Sequence, residues 1–135
     1  WYPIGLRAIS LLAIKKAFNW SDEEIKKAGK NAPKYSFIIK VFMKFVTLEK
    51  ALKEAPKTWR KHYSLGTLKT KLNKEEKYYI ITLEDFKIHP IICTHFEGYF
   101  TGSAEFILRS KKITCQETEC MFKGGKFHRY RIQWT

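Results

Sequence analysis

TLKTKLNKEEKYYIITLEDF, residues 67–86, is where the periodicity of this chain changes. Thr67 to Asn73 alternate polar and apolar side chains, and Lys77 to Phe86 are rich in the β-branched and aromatic residues that pack well on a pleated, half-buried surface. The polar run between them reads as a turn, so the stretch is predicted to be an antiparallel hairpin. Beyond it, HPIICTHFEGYFTGSAEFILRS (89–110) returns to helix behind Pro90, and KITCQETECMF (112–122) and KFHRYRIQW (126–134) read as two more strands around Gly124-Gly125.

Everything before Gly66 reads as helix. WYPIGLRAISLLAIKKAF (1–18) places Pro3 where a helix can start and follows it with so wide an apolar stripe that a largely buried helix is expected. In WSDEEIKKAGK (20–30), Ser21 and Glu24 form a capping box, Trp20 and Ile25 a hydrophobic staple, and Gly29 is read as the terminator. Behind Pro33, KYSFIIKVFMKFVTLEKAL (34–52) sets Phe37, Ile38, Val41, Phe42, Phe45 and Leu48 on one face, an amphipathic core helix. APKTWRKHYSLG (55–66) reads as a short helix around Trp59 closed by Gly66. The fold class predicted is α+β: N-terminal helices on an antiparallel sheet of about four strands. A late helix lies between two hairpins. Gly98 and Gly102, four apart on that helix, would let it approach another backbone closely.

With 135 residues, 44% of them hydrophobic and 16% aromatic, residues 1–135 are expected to form one domain with an aromatic-rich core. Three cysteines cannot all pair and no apolar run is long enough to cross a bilayer, so the expected setting is a reducing cytoplasm. The net charge of +13 is carried mainly by Lys, with Arg only at Arg7, Arg60, Arg109, Arg129 and Arg131. Arg is the residue that reads bases bidentately, so specific nucleic-acid recognition is not expected. Weak, salt-sensitive contact of the Lys-rich surface with an anionic membrane or an acidic protein is.

Cys93, Cys115, Cys120 and His128 are ligands that suit zinc, with Glu117 and Glu119 as oxygen donors, yet their spacing matches no standard finger. Spacing alone favours buried, inert cysteines. In a regular strand Cys115, Glu117 and Glu119 share one face and Cys120 takes the other, so Glu117 and Cys120 meet at one ion only if the strand ends or bulges near Glu119. For catalysis, Cys115 or Cys120 beside His128 lacks an orienting third group, and no Gly-rich phosphate loop precedes a helix. No enzyme activity is expected.

The order WYP, then CTHFEGYFTG, then ETEC, GG and HRYRIQW resembles the vinyl-4-reductase domain family, itself similar to heme-NO-binding sensor domains and to TRAPP transport subunits. The resemblance implies a small α+β module with a hydrophobic cavity for an apolar or aromatic ligand, serving as a sensor. Its alternatives are a TRAPP-like interaction scaffold at a membrane surface, able to form a homodimer, or a part in tetrapyrrole metabolism. In the aromatic sensors of this kind the motif looks like a zinc site, which carries over onto Cys93, Glu117, Cys120 and His128; the His stands where the pattern has a last Cys. The span from Cys93 to Glu117 is slightly longer than the pattern, so Glu119 stays an alternative to Glu117. The implied zinc is structural, since four protein ligands leave no open position. Phe42, Phe45, Trp59, Phe96 and Tyr99 are the candidate cavity residues.

Overall fold

The computed structural model describes residues 4–35, 46–109 and 112–135. Among them are helices α1 (Ile4–Phe18), α2 (Asp22–Tyr35), α3 (Leu48–His62) and α4 (Pro90–Leu108), and strands β1 (Thr67–Asn73), β2 (Tyr78–Glu84), β3 (Ile113–Glu119) and β4 (His128–Trp134). A single 3-10 turn at Met121–Lys123 follows β3. The strands form one antiparallel sheet in the order β1-β2-β4-β3, with α4 between its two strand pairs in the chain. The α+β fold and the four strands are those expected.

Along β2 and β4 alternate residues are buried, so Tyr79, Ile81, Leu83, Tyr130 and Ile132 face the helices. That face meets Phe96, Phe100 and Ala104 of α4 and Trp59 of α3, an aromatic core in which Phe100 and Tyr130 pack edge to face at 5.0 Å. Pro90 opens α4 as its first helical residue, and His89 caps it by accepting the Ile91 N–H at Nδ1 (3.1 Å).

The closest helix contact runs between α2 and α4. A Cβ at Gly98 would overlap the Lys26 carbonyl oxygen, one at Gly102 the Lys30 carbonyl, and one at Gly29 the His95 carbonyl. The predicted close approach of the late helix is therefore present, and its partner is α2. Gly29 is not a terminator: α2 continues through it and through the buried Pro33 to Tyr35, because the missing side chain is used for packing. The capping box forms as expected, Ser21 N–H to Glu24 Oε2 (3.1 Å) and Glu24 N–H to Ser21 Oγ (3.4 Å).

Three further expectations change. Leu48 begins a helix instead of continuing one, with the Thr47 hydroxyl accepting the Lys50 N–H (3.3 Å); the rest of the predicted 34–52 face, Phe42 and Phe45 included, lies outside the described residues. The same helix passes through Pro56 without stopping. Proline cannot supply the N–H that the Leu52 carbonyl would accept, and the Thr70 hydroxyl of β1 donates to it instead (2.9 Å). The helix ends at His62, not at Gly66, which turns at φ 82° into β1. Finally, α1 buries only Ile4, Ala8 and Leu11, leaving Ile9 and Phe18 64% and 69% exposed. A wide apolar stripe did not mean a buried helix.

The Gly98→Ala protein is expected to lose about 1–3 kcal/mol of stability, the cost of overpacking a tight contact. Gly5→Ala, where a Cβ meets nothing within 4 Å, serves as the control and should be neutral or slightly stabilising. Urea unfolding of both measures the difference.

Candidate metal centre and ligand cavity

The register of the sheet sets one end of it apart. Leu83 near the end of β2 faces His128 at the start of β4, and the last residues of β3 face the same part of β4. Into this end points the first turn of α4, carrying Cys93. Opposite β4, Glu117 pairs with Tyr130 but Glu119 pairs with Arg129, a register shift that leaves one extra residue in β3. Since side chains alternate, one extra residue reverses which face follows. Glu117 and Cys120, on opposite faces of a regular strand, thus turn to the same side.

One ligand atom each from Cys93, Glu117, Cys120 and His128 lies within 4.8 Å of the other three. Glu119 is directed elsewhere: its Oε1 accepts the Lys126 N–H at 3.2 Å. Cys115 is not in the cluster, so its place beside it in the sequence is incidental. Glu117 is held from two sides, its own N–H donating to Glu97 Oε1 of α4 (2.9 Å) while Glu97 also pairs with Lys26 of α2 (3.2 Å). Gly125 N–H and Lys123 N–H both donate to the Cys120 carbonyl (2.9 and 3.0 Å), which fixes the chain just past the strand.

The imidazole of His128 is oriented by a backbone group. Its Nε2 lies 2.7 Å from the Phe86 carbonyl oxygen, an acceptor only, so Nε2 carries the proton and donates. In the neutral ring Nδ1 is then a lone pair, which accepts from the Cys93 thiol (Sγ at 3.6 Å) and lies 3.4 Å from Glu117 Oε2. That carboxylate oxygen is buried and has no hydrogen bond of acceptable geometry. Burial pushes the Glu117 carboxyl up, but Tyr130, Cys120 and, in its charged form, His128 outweigh it and hold the group below the usual carboxylate range; the neutral ring does not contribute to that lowering. Burial, then the charge of Glu117, pushes the Cys93 thiol well above the ordinary thiol range. Two acceptors facing each other across a buried gap, with two thiols beside them, fit a thiophilic cation: tetrahedral zinc would hold such donors about 3.3–3.8 Å apart. The carbonyl behind His128 matches the outer support that metal-bound imidazoles have.

A second feature lies between α3 and α4 above β1 and β2. It is a cavity of about 600 Å³, within the range of small-molecule sites. Trp59, Phe96 and Tyr99, singled out in the sequence, line it together with Leu52, Tyr79 and Ile81. Arg7, Tyr63 and Ser103 line it too and were not foreseen. Arg7 left a signal, being the one charge within the apolar run IGLRAISLLAI.

An α+β domain of this topology, with a buried Cys-Glu-Cys-His cluster at one sheet end and a cavity under its helices, is the class that fold and site define. Solved structures share the fold at low sequence identity. A vinyl-4-reductase family protein from Methanocaldococcus jannaschii is similar at 17% identity and a TM-score of 0.57, over 98% of this chain and 79% of that one. The phenol-responsive sensory domain of the transcription activator PoxR with phenol is similar at 13% and 0.66, over 96% and 73%. A trafficking protein particle complex subunit 3 from Naegleria fowleri, covalently bound to palmitic acid, is similar at 13% and 0.64, over 97% and 94%. No family model matches the chain, and no curated protein matches it by sequence. No helix among the described residues is long and apolar enough to cross a membrane.

Burial, then the charge of Glu97, pushes the Cys115 thiol up to about 12 from 9.0. At pH 8 its thiolate should therefore be about a thousandfold scarcer than that of an ordinary thiol. Iodoacetamide labelling read by mass spectrometry should leave Cys115 unmodified in the native protein and modify it in urea.

Proposed function

We propose that this chain is a non-enzymatic sensor module that binds a small apolar or aromatic molecule between α3 and α4 and is clipped together by a structural zinc ion. The observation that carries the ligand-binding reading is the 600 Å³ cavity, apolar but for a few polar groups, inside a domain otherwise packed around aromatic residues. Its apolar walls, open to solvent on the side of Thr58 and His62, leave contacts that an apolar ligand entering from that side would make. The phenol of PoxR and the palmitate of the trafficking subunit support the same reading by analogy of fold.

Zinc is supported by the four converging donors and by the His128 tautomer, whose Nδ1 lone pair faces Glu117 and Cys93. Cys93, Glu117, Cys120 and His128 would hold it, joining the start of α4 to the end of β3 and the start of β4. Zinc binding at such a site contributes to folding. Four protein ligands complete its tetrahedron, which is why a structural role is proposed in preference to catalysis.

Two measurements test these parts separately. Metal analysis of purified protein should find about one zinc per chain, lost in Cys93→Ser and His128→Ala but kept in Cys115→Ser and Glu119→Gln. A stable, metal-free wild type would defeat the clip. For the cavity, saturating phenol or 1-decanol should raise the melting temperature, by the equivalent of about 2.7 kcal/mol at a hundred times Kd. Ala55→Trp, which fills the cavity, should abolish the shift. No shift, together with salt-sensitive binding to anionic liposomes, would favour the interaction scaffold instead.

A further inference from the structure

The cavity has one polar corner. Arg7 of α1 lines it half-buried, its guanidinium 5.7 Å from the centre of the Tyr63 ring. Tyr99 stands in the same corner: burial and the Tyr63 hydroxyl push its phenol up, while Arg7 and Ser103 pull it back. Ser103, one helical turn beyond Tyr99 on α4, is 9% exposed; its Oγ is buried beside the Tyr99 hydroxyl but makes no hydrogen bond of full geometry. The same guanidinium charge reaches His95 and, after burial, helps lower its pKa to about 4.

What the corner lacks is an anion. None of the ion pairs among the described residues involves Arg7, and no described lining residue is Asp or Glu. Residues 1–3, 36–45 and 110–111 contain no Asp or Glu either, so no carboxylate side chain from those stretches can complete the pair. A half-buried guanidinium without a counter-charge is costly, and its planar fork of donors matches a carboxylate bidentately. One full positive charge among the described lining residues also matches a monoanion better than a phosphate dianion, which would carry a second, unpaired charge into an apolar space.

We propose that the molecule held in this cavity is an amphipathic carboxylic acid, its hydrocarbon part against Trp59, Phe96 and Tyr79 and its carboxylate on Arg7, with the Ser103 hydroxyl donating to it. This rests on the ligand-binding reading above and specifies the ligand's head group. An aliphatic and an aryl-substituted acid supply the same chemistry, so both are tested.

The experiment compares acids with alcohols of the same skeleton by calorimetry on the whole chain: decanoate with 1-decanol, and 4-phenylbutyrate with 4-phenyl-1-butanol. At least one acid should bind the wild type about tenfold or more tighter than its alcohol, the range of a charge-assisted hydrogen-bonded pair. Arg7→Gln should bring that acid to within about threefold of the alcohol measured on the same variant, and Ser103→Ala should narrow the acid-to-alcohol ratio. Equal binding of acid and alcohol by the wild type, or an acid preference that survives Arg7→Gln, overturns the inference. The wild-type ratio decides even where a variant fails to fold. Alcohols that bind beside acids that do not leave the cavity reading standing and remove only the head group, whereas failure of all four compounds removes both.

Discussion

The rest of the structure depends on one close contact, the interlocking of Gly29 on α2 with Gly98 and Gly102 on α4. At these points each helix rests on the other's backbone, where any side chain would overlap a carbonyl oxygen. The contact fixes both the depth and the rotation of α4, and α4 carries more of the functional chemistry than any other element. Cys93 lies in its first turn, Glu97 in its second reaches the N–H of Glu117, and Tyr99 and Ser103 face the cavity. A helix set farther from α2 by even one methyl group would be displaced relative to β3, and both Cys93 and Glu97 would lose their partners together.

The cluster and the cavity are joined by a run of rings. His128 packs edge to face on Phe86 at 6.2 Å, Phe86 lies 5.9 Å from Phe96, and Phe96 meets Trp59 at 6.0 Å in the cavity wall. Phe86 takes part twice, because its carbonyl also receives the His128 N–H. Anything that holds His128 in place therefore holds Phe86, and with it the inner wall of the cavity. Contact of this kind is a packing constraint on the shape of the site; energetic coupling between the two ends would require a second arrangement of the same rings.

Features whose cause lies within a few residues were legible in the sequence. The capping box at Ser21 and Glu24, the Pro90 start of α4 and the hairpin at 67–86 are all local, and all are present. Readings failed where a distant residue altered a local rule. The helix around Trp59 reads from the sequence as starting at Ala55, yet it runs from Leu48 through Pro56, since Thr70 from β1 supplies the missing donor. Gly29 should end one and does not, since α4 occupies the space where its side chain would be. The four members of the cluster could be named from a resemblance, yet the choice of Glu117 over Glu119 was not legible, because it turns on a bulge set by pairing with β4. Arg7 was passed over for the same reason: its significance lies in what Tyr63, Tyr99 and Ser103 place around it.

The two proposed sites follow one electrostatic rule with opposite signs. At the sheet end, an ionised carboxylate oxygen and an imidazole lone pair converge in a buried space without a hydrogen bond between them, an arrangement that a cation relieves. Under the helices, a guanidinium and an incompletely bonded hydroxyl converge beside apolar walls, an arrangement that an anion relieves. Neither set is fully satisfied by the protein alone, and incompletely paired polar groups withdrawn from water cost free energy. Elsewhere among the described residues charged pairs lie at the surface and are satisfied, as Lys15 with Asp22 and Lys69 with Glu84 are. At each of these two places, which share α4, groups of one polarity converge without a counterpart from the protein, and that convergence is the physical ground for reading both as binding sites.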